Sequence, residues 1–158
     1  MTVFPQLSFL VIGITSVTLA WVAVTDLRQF KIRNELVLVL AGLYFVYALV
    51  SGRWVTMHWN LGFAALVLIC LAYAYSQEQI GGGDMKLLTV AFLWTGPFWA
   101  VPFVLLLVVF IGVHYVAAKL KWVAVDRSAL GERIPLAPSV AAGLIATFAL
   151  GGMAPLIG

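Results

Sequence analysis

The chain has 158 residues, of which 64% are hydrophobic and 9% charged, with nine Lys or Arg against six Asp or Glu and a net charge of +3. A soluble domain carries about 25% charged residues and about half apolar ones, so a soluble enzyme is excluded and one polytopic membrane domain spanning 1–158 is expected. The small positive excess fits cations held at a cytoplasmic membrane face and calls for no nucleic-acid partner. Cys70, the single cysteine, supports neither an internal disulfide nor a CxxC metal pair and reads as an apolar filler.

Apolar stretches run at about 6–25, 36–51, 59–76, 86–96, 97–118 and 136–157. A crossing takes roughly 20 apolar residues, because about 30 Å of hydrocarbon is spanned at about 1.5 Å per residue. Met1 to Leu19 contains no Lys or Arg, so the first stretch lacks the basic region of a secretory signal and is expected to be a retained helix. The second is short and is expected to extend toward Val55, with Arg53 snorkelling. The fourth is half a span. Thr95-Gly96-Pro97 is either a kink in one long helix or a turn between a short helix and a full one.

Charge decides between them. With a turn, Arg28, Lys31, Arg33, Lys86, Lys119, Lys121, Arg127 and Arg133 share one face and only Arg53 lies opposite. Without it the bias disappears. The positive-inside rule therefore predicts an all-α bundle of six transmembrane helices, helix 4 short, with both termini non-cytoplasmic. Pro97 supports the break, since it lacks a backbone donor and disfavours helix before it. Gly42, Ala64, Ala65, Ala141, Ala142, Gly143 and Ala146 are expected to let helices pack closely.

All six acidic residues, Asp26, Glu35, Glu78, Asp84, Asp126 and Glu132, fall on the cytoplasmic face of this topology. Asp26 ends the apolar run LAWVAVT and Asp84 precedes MKLLTVAFLW, so both stand at the same membrane depth. Two carboxyls meeting at the edge of the low-dielectric slab do not both ionise readily and share a proton. The ionised member activates water while the protonated member polarises a carbonyl, which is aspartic-protease chemistry. Gly81, Gly82 and Gly83 are expected to allow backbone geometries closed to other residues and close approach of an extended substrate. The blander readings stay open: Asp84 as a helix N-terminal cap and Asp26 as a boundary anchor.

VTDLRQFKIRNEL followed by GGGDMK resembles the type IV prepilin peptidases, membrane aspartic proteases with a GxGD motif. RIPLAPSVAAG is similar to the penultimate loop and final helix of that family. The resemblance implies Asp26 and Asp84 as the catalytic pair. It implies a prepilin or pseudopilin substrate cut at the junction of its basic leader and apolar helix, at the cytoplasmic face of a bacterial inner membrane. It calls for no metal or cofactor. Lys86 matches the family lysine and either tunes Asp84 and positions substrate or snorkels. Asn34 either bonds near the dyad or caps helix 2. Ile32-Arg33-Asn34 carries arginine where the family has proline, which is expected to change the turn into helix 2. The large insertion with paired CxxC motifs of the bifunctional members is missing, so the chain looks like the short form of tight-adherence (Flp) systems, without methyl transfer.

Two other classes compete. A small transporter would place carboxylates mid-span, and none lies there. A non-catalytic pilus-assembly subunit would not need the aspartates. Glu35 and Glu78 either meet a basic leader or are solvated. His58 falls on the far side, and His114 is expected to be interfacial or packed.

Overall fold

The computed structural model describes residues 5–120, 126–128, 131–133 and 135–152. The described residues form α1 (Pro5–Gln29), α2 (Asn34–Ser51), α3 (Trp54–Ser76), α4 (Gly82–Lys119) and α5 (Ala137–Thr147), the last running into a π-helical turn, Phe148–Gly152. The only strands among them are Asp126–Ser128 and Gly131–Arg133, a short antiparallel hairpin. The fold is all-α apart from that hairpin. The rest of the basic 119–135 segment, the first four residues and the expected end of the last span beyond 152 lie outside the described residues.

Four helices, α1 to α4, are long and apolar enough to cross a membrane, and the shorter 137–151 is apolar as well. The chain is thus a multi-pass membrane protein. The six separate spans expected from charge are not what the helix boundaries show, because 86–96 and 97–118 belong to one 38-residue helix, α4. That helix is broken internally: Gly96 has φ 59 and ψ −172. Its two arms, 82–95 and 97–119, fold back on each other. Phe92 and Phe103 have ring centroids 5.2 Å apart, although a straight helix would separate residues 11 apart by roughly 16 Å along its axis.

The break has a local cause. In a continuous helix the Leu93 carbonyl would receive the N–H of residue 97, and proline has none. Asn60, buried in α3, donates to that carbonyl from Nδ2 at 3.2 Å instead. A Cβ on residue 96 would collide with the Asn60 carboxamide. Gly96 therefore serves both the positive φ and the close approach.

Likewise α2 does not extend past Arg53. Gly52, at φ 68, caps it in the left-handed conformation and donates its N–H to the carbonyls of Ala48 and Leu49, a glycine C-terminus. Of the small residues, Ala64, Ala141 and Gly143 are buried, and a Cβ on Gly143 would sit 3.5 Å from the Leu107 backbone, where α5 meets α4. Gly42 and Ala65 are exposed instead, so they do not mediate helix contacts.

The buried core joins Leu19 and Val22 of α1, Leu40 of α2, Leu87 and Phe103 of α4 and Val140 and Leu144 of α5. Trp94 locks α4 to α2 by donating its indole N–H to the Leu40 carbonyl at 3.0 Å. Large apolar side chains such as Val17, Leu38, Ile69 and Phe98 point outward, as a lipid-facing surface requires.

Candidate active site

The C-terminal end of α1, the N-termini of α2, α4 and α5 and the C-terminal end of α3 meet at one end of the bundle. The last turn of α1 carries Asp26, which is 4% exposed. Phe30 ends that helix at φ 48, with its N–H donated to the Asp26 carbonyl at 2.8 Å. A bulky residue seldom takes this conformation. It turns the chain sharply into Ile32, which is buried.

Ile32 explains Gly83. A Cβ on residue 83 would lie 3.1 Å from the Ile32 Cβ, so the glycine lets the start of α4 press on the loop that follows Asp26. A Cβ on Gly82 would lie 3.3 Å from the edge of the Tyr75 ring, and one on Gly81 3.0 Å from Asp84 Oδ2. None of the three has a positive φ. The expectation of special backbone geometry is therefore corrected: these glycines serve close approach. Helix α4 begins at Gly82 with Gly81 as N-cap, placing Asp84 within the first helical turn, its carboxylate folded over Gly81.

Asp26 and Asp84 line the same cavity, of 330 Å³, with Phe30, Lys31, Ile32, Asn34, the three glycines, Pro135 and Leu136. Asp26 Oδ2 accepts the Ala137 N–H at 3.1 Å. The α5 N-cap residue, Leu136, makes no side-chain cap of its own, so Asp26 serves as that cap from across the fold. The carboxylate on the first turn of α4 is thus joined at the cavity by one from α1, for which the sequence had left both a catalytic role and a boundary anchor open.

The supporting residues are placed differently from the expectations. Lys86 Nζ donates to Asn34 Oδ1 at 3.0 Å, tying the first turns of α4 and α2 together. Asn34 does not cap α2: the N-cap is Arg33, with no side-chain cap bond, and the Asn34 oxygen is engaged by Lys86. Arg33 has φ −76 and ψ 129, within the range proline imposes, so the substitution leaves the backbone where a proline would set it. Its guanidinium meets Glu35 at 3.4 Å in an exposed pair, which is the solvated reading of Glu35.

Sequence reasoning passed over several residues at this end. Pro135, Leu136 and Ala137 fall in the RIPLAPSVAAG segment, whose likeness to a family loop was the available signal. His114 gave no signal by spacing. It approaches Ser139 Oγ, near the start of α5, through Nδ1 at 3.3 Å. His58 bonds back to the Trp54 carbonyl within its own helix. Among the described residues no three His, Cys, Asp or Glu side chains cluster as metal ligands.

A family model described as the type IV leader peptidase family matches residues 13–117. No curated protein and no solved structure matches the chain. The matched span covers both aspartates, the turn between α1 and α2 and the glycine run, and on that ground the chain belongs to the type IV leader peptidase family.

Proposed function

We propose that the chain is a membrane-embedded aspartic endopeptidase that removes the short basic leader of prepilin or pseudopilin substrates, with Asp26 and Asp84 as the catalytic pair. The observation that carries this reading is the shared cavity: two carboxylates 58 positions apart in sequence line one space. The cavity sits at the ends of apolar helices, where the basic leader and apolar helix of a substrate would join. One carboxyl, ionised, takes a proton from water as it attacks the scissile carbonyl. The other, protonated, hydrogen-bonds the carbonyl oxygen and supplies the proton that reaches the leaving amine. Ala137 holds one oxygen of Asp26, leaving the other for this work, and the side-chain-free wall of Gly81 to Gly83 admits an extended peptide.

The reading includes six crossings, an active site at the cytoplasmic face and both termini outside. It is supported by the reversal of α4 at Gly96 and by the charge split that six crossings would give the sequence, eight cations on the aspartate face against Arg53 alone. A 38-residue helix is about 57 Å long at 1.5 Å per residue, nearly two membrane thicknesses. The reading assigns peptidase activity without methyl transfer, as in the short tight-adherence form.

The test is prepilin cleavage in membranes by Asp26→Asn and Asp84→Asn. Asparagine keeps size and polarity but cannot cycle a proton. Each variant, inserted at normal levels, is expected to lose at least about 10²-fold in rate, the lower end of a general acid–base contribution. Near-normal cleavage by either one rules out the aspartic mechanism.

A further inference from the structure

At the opposite end of the bundle lies a second cavity, of 230 Å³, lined by Tyr44, Tyr47, Arg53, Asn60, Trp94 and Trp99 among others. Tyr47 stands 13 residues beyond Asn34 along α2, or roughly 20 Å from the aspartate end at about 1.5 Å per residue. The peptidase reading makes no use of this cavity.

Its one charged group is a cation. Arg53 supplies a guanidinium, and no acidic residue lines the space. Arg53 is also the N-cap of α3 and provides no side-chain cap. The first-turn N–H groups of that helix thus keep their positive end turned toward the same region. Asn60 has committed its amide nitrogen to the Leu93 carbonyl. Independently of the helix terminus, Tyr47 is 5% exposed, and its buried hydroxyl, beside the Arg53 guanidinium, has no acceptor for its own proton. A buried O–H left without an acceptor is costly, and this one faces the cavity.

The surroundings fix the level in the membrane. Trp54, Trp59 and Phe98 are exposed around this end, and tryptophans gather where headgroups begin. A group that satisfies a guanidinium fork, a phenol and helix N–H donors together must be anionic and carry several acceptor oxygens. We propose that this cavity binds a phosphate group at the membrane face opposite the aspartates.

The phosphate comes from a lipid headgroup or from solution, and the experiment separates the two. Phospholipid-free protein in detergent is titrated with dihexanoylphosphatidylglycerol, with inorganic phosphate and with dihexanoylglycerol, which has no phosphate. Tryptophan fluorescence reports binding, since Trp94 and Trp99 form part of the wall. The lipid is expected to give a saturable change and the phosphate-free diacylglycerol none. Arg53→Gln and Tyr47→Phe are each expected to weaken binding about tenfold or more. A matching response to inorganic phosphate shows that the phosphate alone suffices, and a response to lipid only places the source in the headgroup; either supports the site. No saturable response to both phosphate probes, an equal response to diacylglycerol, or an affinity unchanged by Tyr47→Phe overturns it. Tyr47→Phe keeps the ring, so the test stands even where Arg53→Gln fails to fold.

Discussion

Asp26 and Asp84 border one cavity but are held in opposite ways. Asp26 is withdrawn from solvent, and its Oδ2 receives the N–H of Ala137, 111 residues further along the chain. Asp84 is half-buried on the first turn of its own helix and lies over Gly81, three residues before it. One carboxylate is held by a backbone donor from across the fold, and the other lies against the backbone just before its own helix. They should therefore respond differently to perturbation, and the sharpest perturbations are local to each.

The largest effect is expected on the Asp84 side. Gly81→Ala brings a methyl to 3.0 Å from Oδ2 and displaces the carboxylate. Misplacing a reacting group by an ångström costs about 10²-fold, so cleavage should fall by that order with thermal stability unchanged. Gly82→Ala meets only the edge of the Tyr75 ring at 3.3 Å, a side chain able to yield, and should keep most activity. Equal losses for the two variants would break the contrast.

Next comes the hinge that carries the Asp84 helix. At Gly96 a side chain is strained by the positive φ and obstructed by Asn60. Gly96→Ala should cost about 1–3 kcal/mol for a positive-φ, extended-ψ backbone that essentially only glycine adopts, read as a lowered unfolding midpoint in detergent. Asn60→Ala leaves the Leu93 carbonyl without its donor and should cost about 1–3 kcal/mol.

A smaller effect separates the two carboxylates directly. Asp26→Ala removes the cap of α5 and should destabilise by about 0.5–2 kcal/mol. Asp84→Ala removes a carboxylate that complements the α4 dipole from its first turn and should cost about 0.3–1 kcal/mol, although both abolish cleavage in the proposed mechanism. Denaturant unfolding of the two variants side by side checks this, and a greater loss for Asp84→Ala would reverse the assignment of structural roles.

The smallest effect is expected at the turn between them. Arg33 already holds φ −76, so Arg33→Pro should leave cleavage unchanged and alter stability by less than about 1 kcal/mol, in the stabilising direction. A clear loss would mean that the Arg33 side chain, and not its backbone, matters.

The sequence by itself determined the class of molecule and both ends of the candidate dyad. A chain with so few charges has only lipid as a solvent for its surface. Every carboxylate stands outside the apolar stretches, and two of them sit directly at their edges. The role of Gly96-Pro97 as a break was legible from proline's missing donor, although its helix boundaries were not. The tertiary structure alone decided what each group touches. Asp26 reaches Ala137, Lys86 reaches Asn34, Asn60 reaches Leu93, and the three glycines turn out to serve contact with no positive φ. The three hydrogen bonds span from 33 positions, for Asn60 with Leu93, to 111, for Asp26 with Ala137. Helices apolar on every side carry no amphipathic stripe to mark which face packs inward. In lipid that choice rests on close fit and on a few interhelical hydrogen bonds, and those exist only once the helices are assembled.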